Sequence, residues 1–189
     1  MKSPQTKPKR DTEILKKKKG LVLIYTGDGK GKTTAALGVA FRALGWGMKV
    51  CMIQFIKGNW KYGELESAKR FSNFELLQMG EGFTWDTQNP ARDRELVEKA
   101  WKVCEEKMLS GKYGLLIFDE INYVIDYDYL DAKRIVKALQ KKPKDVHVIL
   151  SGRNAKSELV KIADLVTEMK EIKHPFKDQK IPAQKGIDF

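Results

Sequence analysis

Cysteine is almost missing from this chain: Cys51 and Cys104 are the only two among 189 residues, with no spacing pattern around them. That excludes a disulfide framework and a thiolate zinc site, and reads as two reduced, buried thiols. Histidine is as scarce. His147 and His174 lie far apart, and no Ser-His-Asp set is evident, so a hydrolytic triad is not expected. No apolar run approaches the roughly 20 residues of a membrane span. The Lys-rich start has no apolar core of a secretory signal, so export is not expected and the cytoplasm is the expected compartment. Repeats and low-complexity tracts are absent beyond the first 19 residues.

What remains is 42% hydrophobic and 32% charged residues, a composition that suits one globular domain with a real core. The net charge of +11 invites a nucleic-acid reading, but +6 of it sits in residues 1–19 (Lys2, Lys7, Lys9, Arg10 and Lys16 to Lys19 against Asp11 and Glu13). A basic stretch of this kind reads as a flexible, solvated leader, followed by a domain over 20–189.

Within that domain apolar strand-like runs alternate with amphipathic stretches. Strands are expected at 21–25, 49–56, 74–79, 115–118, 146–150 and 165–172, and helices at 33–44, 64–70, 93–109, 130–140 and 157–163. The alternation predicts an α/β fold with a mostly parallel sheet of about six strands and helices on both faces. Ligands bind such sheets at the carboxyl ends of the strands. The informative residues do follow strands: 26–34, 54–57, 119–120 and 151–153.

The first of these is Thr26-Gly27-Asp28-Gly29-Lys30-Gly31-Lys32-Thr33-Thr34, after an apolar strand and before a helix. Glycines let backbone N–H groups converge on phosphate oxygens, and the helix start aims its dipole at the same place. Lys32 adds a mobile positive charge, and the Thr33 hydroxyl is a Mg²⁺ ligand candidate. In the general P-loop pattern the first glycine falls where this chain has Thr26. The second element is the strand 115–118 ending in Asp119 and Glu120, the form of a Walker B strand, where the metal needs an oxygen ligand. The sequence does not choose between the two carboxylates. Arg153 is a candidate clamp for phosphate oxygens. Arg42, on the P-loop helix, is a candidate for either face.

These features stop at a nucleotide and Mg²⁺, or Mn²⁺ in its place. Two further stretches carry more. Residues 83–89 put Phe83 and Trp85 in a loop bounded by Gly80, Gly82 and Pro90, where large aromatics cover a partner, a ligand or the sheet. The stretch 173–189 is too polar for a core strand and too patterned for a tail.

With these residues in view the chain resembles the ATP:corrinoid adenosyltransferases of the P-loop class, RecA-like in fold, from about Gly20 to Phe189. The resemblance rests on T-G-D-G-K-G-K-T-T-A-A at 26–36, Q-F-I-K-G-N-W at 54–60, G-F-T-W-D-T-Q-N at 82–89, F-D-E-I-N-Y at 118–123, Y-D-Y-L at 127–130, S-G-R at 151–153, K-H-P-F at 173–176 and G-I-D-F at 186–189. Threonine at the position of Thr26 is a family trait. Asp28 stands where asparagine is familiar, and Phe189 where tyrosine is familiar. The resemblance implies transfer of the 5′-deoxyadenosyl group of ATP to cobalt(I) of cobalamin with release of triphosphate, a reaction without a general base. It implies catalytic roles for Lys32, Phe83, Trp85 and Arg153, nucleotide contacts from 26–34 and Arg42, and a metal held by Thr33 with Asp119 or Glu120. Phe83 and Trp85 are implied to displace the lower cobalt ligand and cover that corrin face. A homodimer and a flavodoxin-like reductant are implied partners. The competing readings are a nucleic-acid-stimulated RecA-like ATPase working through the leader, and a small-molecule kinase. Both predict ADP instead of triphosphate.

Overall fold

A computed structural model describes residues 19–58, 61–80 and 89–189. The expected leader over 1–19, except for Lys19, and the aromatic pair Phe83 and Trp85 lie outside the described residues. Six strands, β1 (Val22–Thr26), β2 (Val50–Gln54), β3 (Phe74–Gln78), β4 (Leu115–Asp119), β5 (His147–Ser151) and β6 (Leu165–Glu168), form one sheet in the order β3-β2-β4-β5-β1-β6. Every pairing is parallel.

Such a sheet is covered on both faces, and alternate residues of β1 to β5 feed two separate cores. On one face α1 (Lys32–Gly45) lays Ala36, Ala40, Ala43 and Leu44 against Val50, Met52, Leu115, Ile117 and Ile149. On the other, α3 (Pro90–Leu109) and α5 (Ala132–Gln140) bury Trp101, Cys104, Ile135 and Leu139 against Cys51, Ile53, Leu116, Phe118, Val148 and Leu150. The Trp101 ring meets Phe118 edge-on with centroids 6.0 Å apart. Shorter helices complete the chain: α2 (Gly63–Ala68), α4 (Ile121–Asp126), α6 (Ser157–Ile162) and α7 (Pro175–Gln179).

Several boundaries differ from the sequence reading. Helix α3 starts at Pro90, three residues before the start expected at residue 93. Asn89 caps it by accepting the Arg92 N–H, and proline suits the first helical position. Strand β6 stops at Glu168 and is exposed throughout, because it lies at the sheet edge. Helices α4 and α7 have no counterpart in the pattern of apolar residues.

Register sets the site. Gln54 pairs with Asp119 across β2 and β4, and Tyr25 with Ser151 across β1 and β5. The polar ends of four strands thus finish side by side.

Candidate active site

Beyond β1 the chain enters the glycine loop with Gly27 at φ 94° and opens α1 from Gly31 at φ 108°, both in the left-handed region. Gly27 and Gly29 are also required by space. A Cβ on either would meet the backbone of Met169 or Lys170 at 2.5–2.9 Å. The stretch following β6 lies against the loop, the Gly29 N–H donating to Met169 O at 2.7 Å and the Met169 N–H to Thr26 O at 2.7 Å. Thr26 has its own task. Its Oγ1 accepts the Ala155 N–H at 3.1 Å, fastening the turn after β5 to the loop.

Lys32 is buried at 7% exposure, and its Nζ donates to Gly27 O and Gly29 O at 2.7 Å each. Among the described residues no carboxylate is in hydrogen-bond contact with this ammonium, which the two carbonyls hold under the loop. Burial lowers its pKa, Glu120 working against that and Arg153 with it. Thr33 Oγ1 donates to Asp119 Oδ1 at 2.9 Å, which joins the P-loop to the Walker B strand.

Asp119 is fully buried. Its other donors are Ser151 Oγ at 2.7 Å and Gln54 Nε2 at 3.4 Å. All are neutral, and among the described residues Asp119 forms no ion pair. A buried carboxylate beside a hydroxyl, lacking a cation of its own, fits a hard divalent ion that takes its remaining ligands from phosphate oxygens. Glu120 takes a left-handed φ of 62° and faces the cavity, its N–H donating to Ser151 Oγ at 2.9 Å. Its pKa is pushed up to about 7, chiefly by burial and then by Asp119, with Lys32, Lys57 and Arg153 opposing. The two adjacent carboxylates thus stand in different settings, one among hydroxyls and one at the cavity wall.

The loop opens into a cavity of about 1460 Å³. One end is polar, with Lys32, Thr33, Thr34, Glu120 and Arg153. The other is apolar, with Leu37, Phe41, Leu44, Phe71 and Phe74. Arg153 is exposed, its Nε 4.0 Å from Asp28 Oδ1. Arg42 is not brought to the site. It is exposed and, unlike Phe41 and Leu44 on the same helix, stands outside the cavity lining.

The structure also brings in residues to which the sequence reading gave no role. Gln54 links Asp119 to Glu64 of α2 at 3.4 Å, and Glu64 is ion-paired with Lys57. Buried polar side chains at strand tips are the signal that finds such residues. Tyr123 and Tyr127 stack with centroids 4.5 Å apart at the cavity edge, and residues 186–189 form part of its wall. His147 lies at the amino end of β5, away from the site, and accepts the Leu21 N–H at 3.1 Å. His174 caps α7. No described helix is long and apolar enough to cross a membrane.

A family model described as ATP:corrinoid adenosyltransferase BtuR/CobO/CobP matches residues 18–189. A corrinoid adenosyltransferase of Sinorhizobium is 46% identical over 174 residues, covering 90% of this chain and 81% of the relative. One from Pseudomonas aeruginosa is 42% identical over 90% of this chain and 84% of the relative, and one from Escherichia coli 39% over 90% and 86%. Among solved structures, the flagellar accessory protein FlaH of Methanocaldococcus jannaschii matches with a TM-score of 0.54 at 12% identity, covering 79% of this chain and 71% of that one. That likeness is one of fold alone.

Proposed function

This chain belongs to the ATP:corrinoid adenosyltransferase family and adenosylates a corrinoid with ATP, and on that premise we propose that the P-loop grips a triphosphate leaving group. The cobalt(I) electron pair attacks the ribose C5′ of ATP. A cobalt–carbon bond forms, the C5′–O bond breaks, and its electrons depart on triphosphate. No proton moves in that step, so no base is needed, and both histidines have structural tasks elsewhere.

The protein's contribution is position and charge. The N–H groups of the loop and Lys32 Nζ meet the charge that grows on the leaving oxygens. Arg153 reaches the same oxygens from the turn after β5, leaving Asp28. Thr33 Oγ1 and Asp119 would hold Mg²⁺, with Glu120 at the cavity side. When bound, that ion supplies further positive charge to the triphosphate. Phe83 and Trp85 cover the lower corrin face and exclude water, keeping cobalt four-coordinate and easier to reduce. A homodimer served by a flavodoxin-like reductant belongs to the same reading, as does a separate leader before residue 20.

One observation carries this proposal most: a phosphate cradle opening into a cavity larger than the ~300–1,000 Å³ of an ordinary small-molecule site, with a polar and an apolar end. Two substrates, one highly charged and one bulky, suit it. An anaerobic assay with ATP and chemically reduced cobalamin tests the reading. Formation of the alkylcobalamin spectrum in step with triphosphate is expected, whereas ADP release independent of corrinoid would overturn it.

A further inference from the structure

Neither C-terminal motif has a part in the chemistry above. The structure gives the first a folding task. His174 Nδ1 accepts the N–H groups of Phe176 and Lys177 at 3.2 and 3.4 Å, and the His174 N–H donates to Asp178 at 2.6 Å, which starts α7. The helix stops at Lys180 in a left-handed conformation. The chain then returns to the P-loop.

There the second motif makes a compact turn. Asp188 Oδ2 accepts the Gln184 N–H at 2.8 Å, the Asp188 N–H donates to Gln184 O at 2.8 Å, and the Gly186 N–H donates to Phe189 O at 2.7 Å. These bonds fix the carboxylate, and its Oδ1 receives Lys30 Nζ of the P-loop at 2.5 Å. The Asp188 side chain is 15% exposed, against 54% for Lys30, so the acid is the fixed partner and the lysine the one that is held. At its far end the segment reaches Gly63 at the start of α2. Between these two contacts it lines the cavity.

Lys30 stands between Gly29 and Gly31, which leaves that part of the loop a wide conformational range. The inner side is secured by Met169 O on Gly29. We propose that Asp188 is a positioning residue for ATP, holding Lys30 from outside so that the loop N–H groups around it already face the phosphates. The 184–189 turn is then a wall of the nucleotide site, and the ordering of residues 29–31 is done before ATP arrives. This rests on the triphosphate lying in the loop, as proposed above.

The opposite role is conceivable for a carboxylate on a P-loop lysine: competition with phosphate. The two differ in sign. With the full-length protein, ATP affinity is measured by calorimetry without corrinoid, and KM and kcat in the adenosylation assay. Asp188→Asn is expected to raise both the ATP dissociation constant and the ATP KM about threefold to fivefold, the range of a partly exposed ion pair. The kcat at saturating ATP and the corrinoid KM stay as in the wild type. Asp188→Glu restores affinity. Lys30→Met gives the same loss, and the double variant is no worse than either single one. Unchanged or tighter ATP binding by Asp188→Asn and Lys30→Met overturns the inference, the tighter result marking competition. A loss that follows a fall in Tm across the variants overturns it too, by making the contact merely structural. Failure of the wild type to bind ATP would instead strike the triphosphate reading itself.

Discussion

Lys32 shows how one side chain is stored for use. Its ammonium is buried, yet its direct hydrogen bonds go to two loop carbonyls, Gly27 O and Gly29 O. Carbonyl dipoles hold a cation less firmly than a carboxylate would, so incoming phosphate oxygens can claim it. Two of the acids that act on it are otherwise disposed: Asp119 is engaged by Thr33 and Ser151, and Glu120 is pushed up to about 7. In the proposed reaction the negative charge on the bridging oxygen appears as the C5′–O bond breaks, so Lys32 should matter more to the transition state than to bound ATP. Lys32→Met, which keeps much of the buried volume, is expected to lower kcat/KM by about 100-fold to 1,000-fold, chiefly in kcat. Thermal unfolding should change little. Steady-state kinetics beside a melting curve check this, and a loss confined to the ATP KM would show that the lysine only binds.

Among the elements, the strands and long helices were legible because each combines an apolar run or stripe with glycine and polar boundaries. Helix α4 was not, since its six residues follow Glu120 in a left-handed turn and are too few to show a period. Helix α7 hides for a different reason, being a polar helix held by the His174 cap. Thr26, Lys32, Thr33 and the pair Asp119 and Glu120 could be named from their motifs, without a choice between the two carboxylates. The want of space for any side chain at 27 and 29 could not, because it comes from Met169 and Lys170, well over a hundred residues away. Arg42 could not be given a face from the sequence, and the structure leaves it exposed and outside the cavity lining. The pairing of β1 with β5 has a titratable fastening: His147 Nδ1 accepts the Leu21 N–H. Burial, and then Lys142, lowers the pKa of His147 below 6.5. The unfolded chain therefore binds this proton more readily, so the contribution is whole above 6.5 and is lost as pH falls through the lower folded value. His147→Asn can keep an acceptor at the same place without titrating. Between about pH 8 and about pH 5 the wild type should lose about 1 kcal/mol more than this variant, the scale of one hydrogen bond. Urea unfolding at both pH values measures it, and parallel losses would count against the role.

For the whole molecule, the question is whether the site and the core open together. Strand β2 pairs with β4, which delivers Asp119, while its Cys51 points into the core shared with Cys104 of α3. Both thiols are inaccessible. Burial pushes Cys51 up to about 12 and Cys104 well above the usual thiol range, so neither is reactive in the native state. Labelling by an alkylating reagent must wait for an opening that separates α3 from the sheet. If that opening also dismantles the end of β4, ATP binds only the closed protein, and its binding free energy opposes every labelling event. At a free ATP concentration 100 times its dissociation constant, with Mg²⁺ present, labelling of both cysteines should slow about 100-fold. Two cooperative layers behave otherwise: α3 would lift while the P-loop and Asp119 stayed assembled, and ATP would leave the labelling rate almost unchanged. Mass spectrometry of the two cysteine peptides over time separates these cases. The continuous β2–β4 pairing favours a single cooperative unit, because the strand that carries Asp119 is also the floor under the thiols.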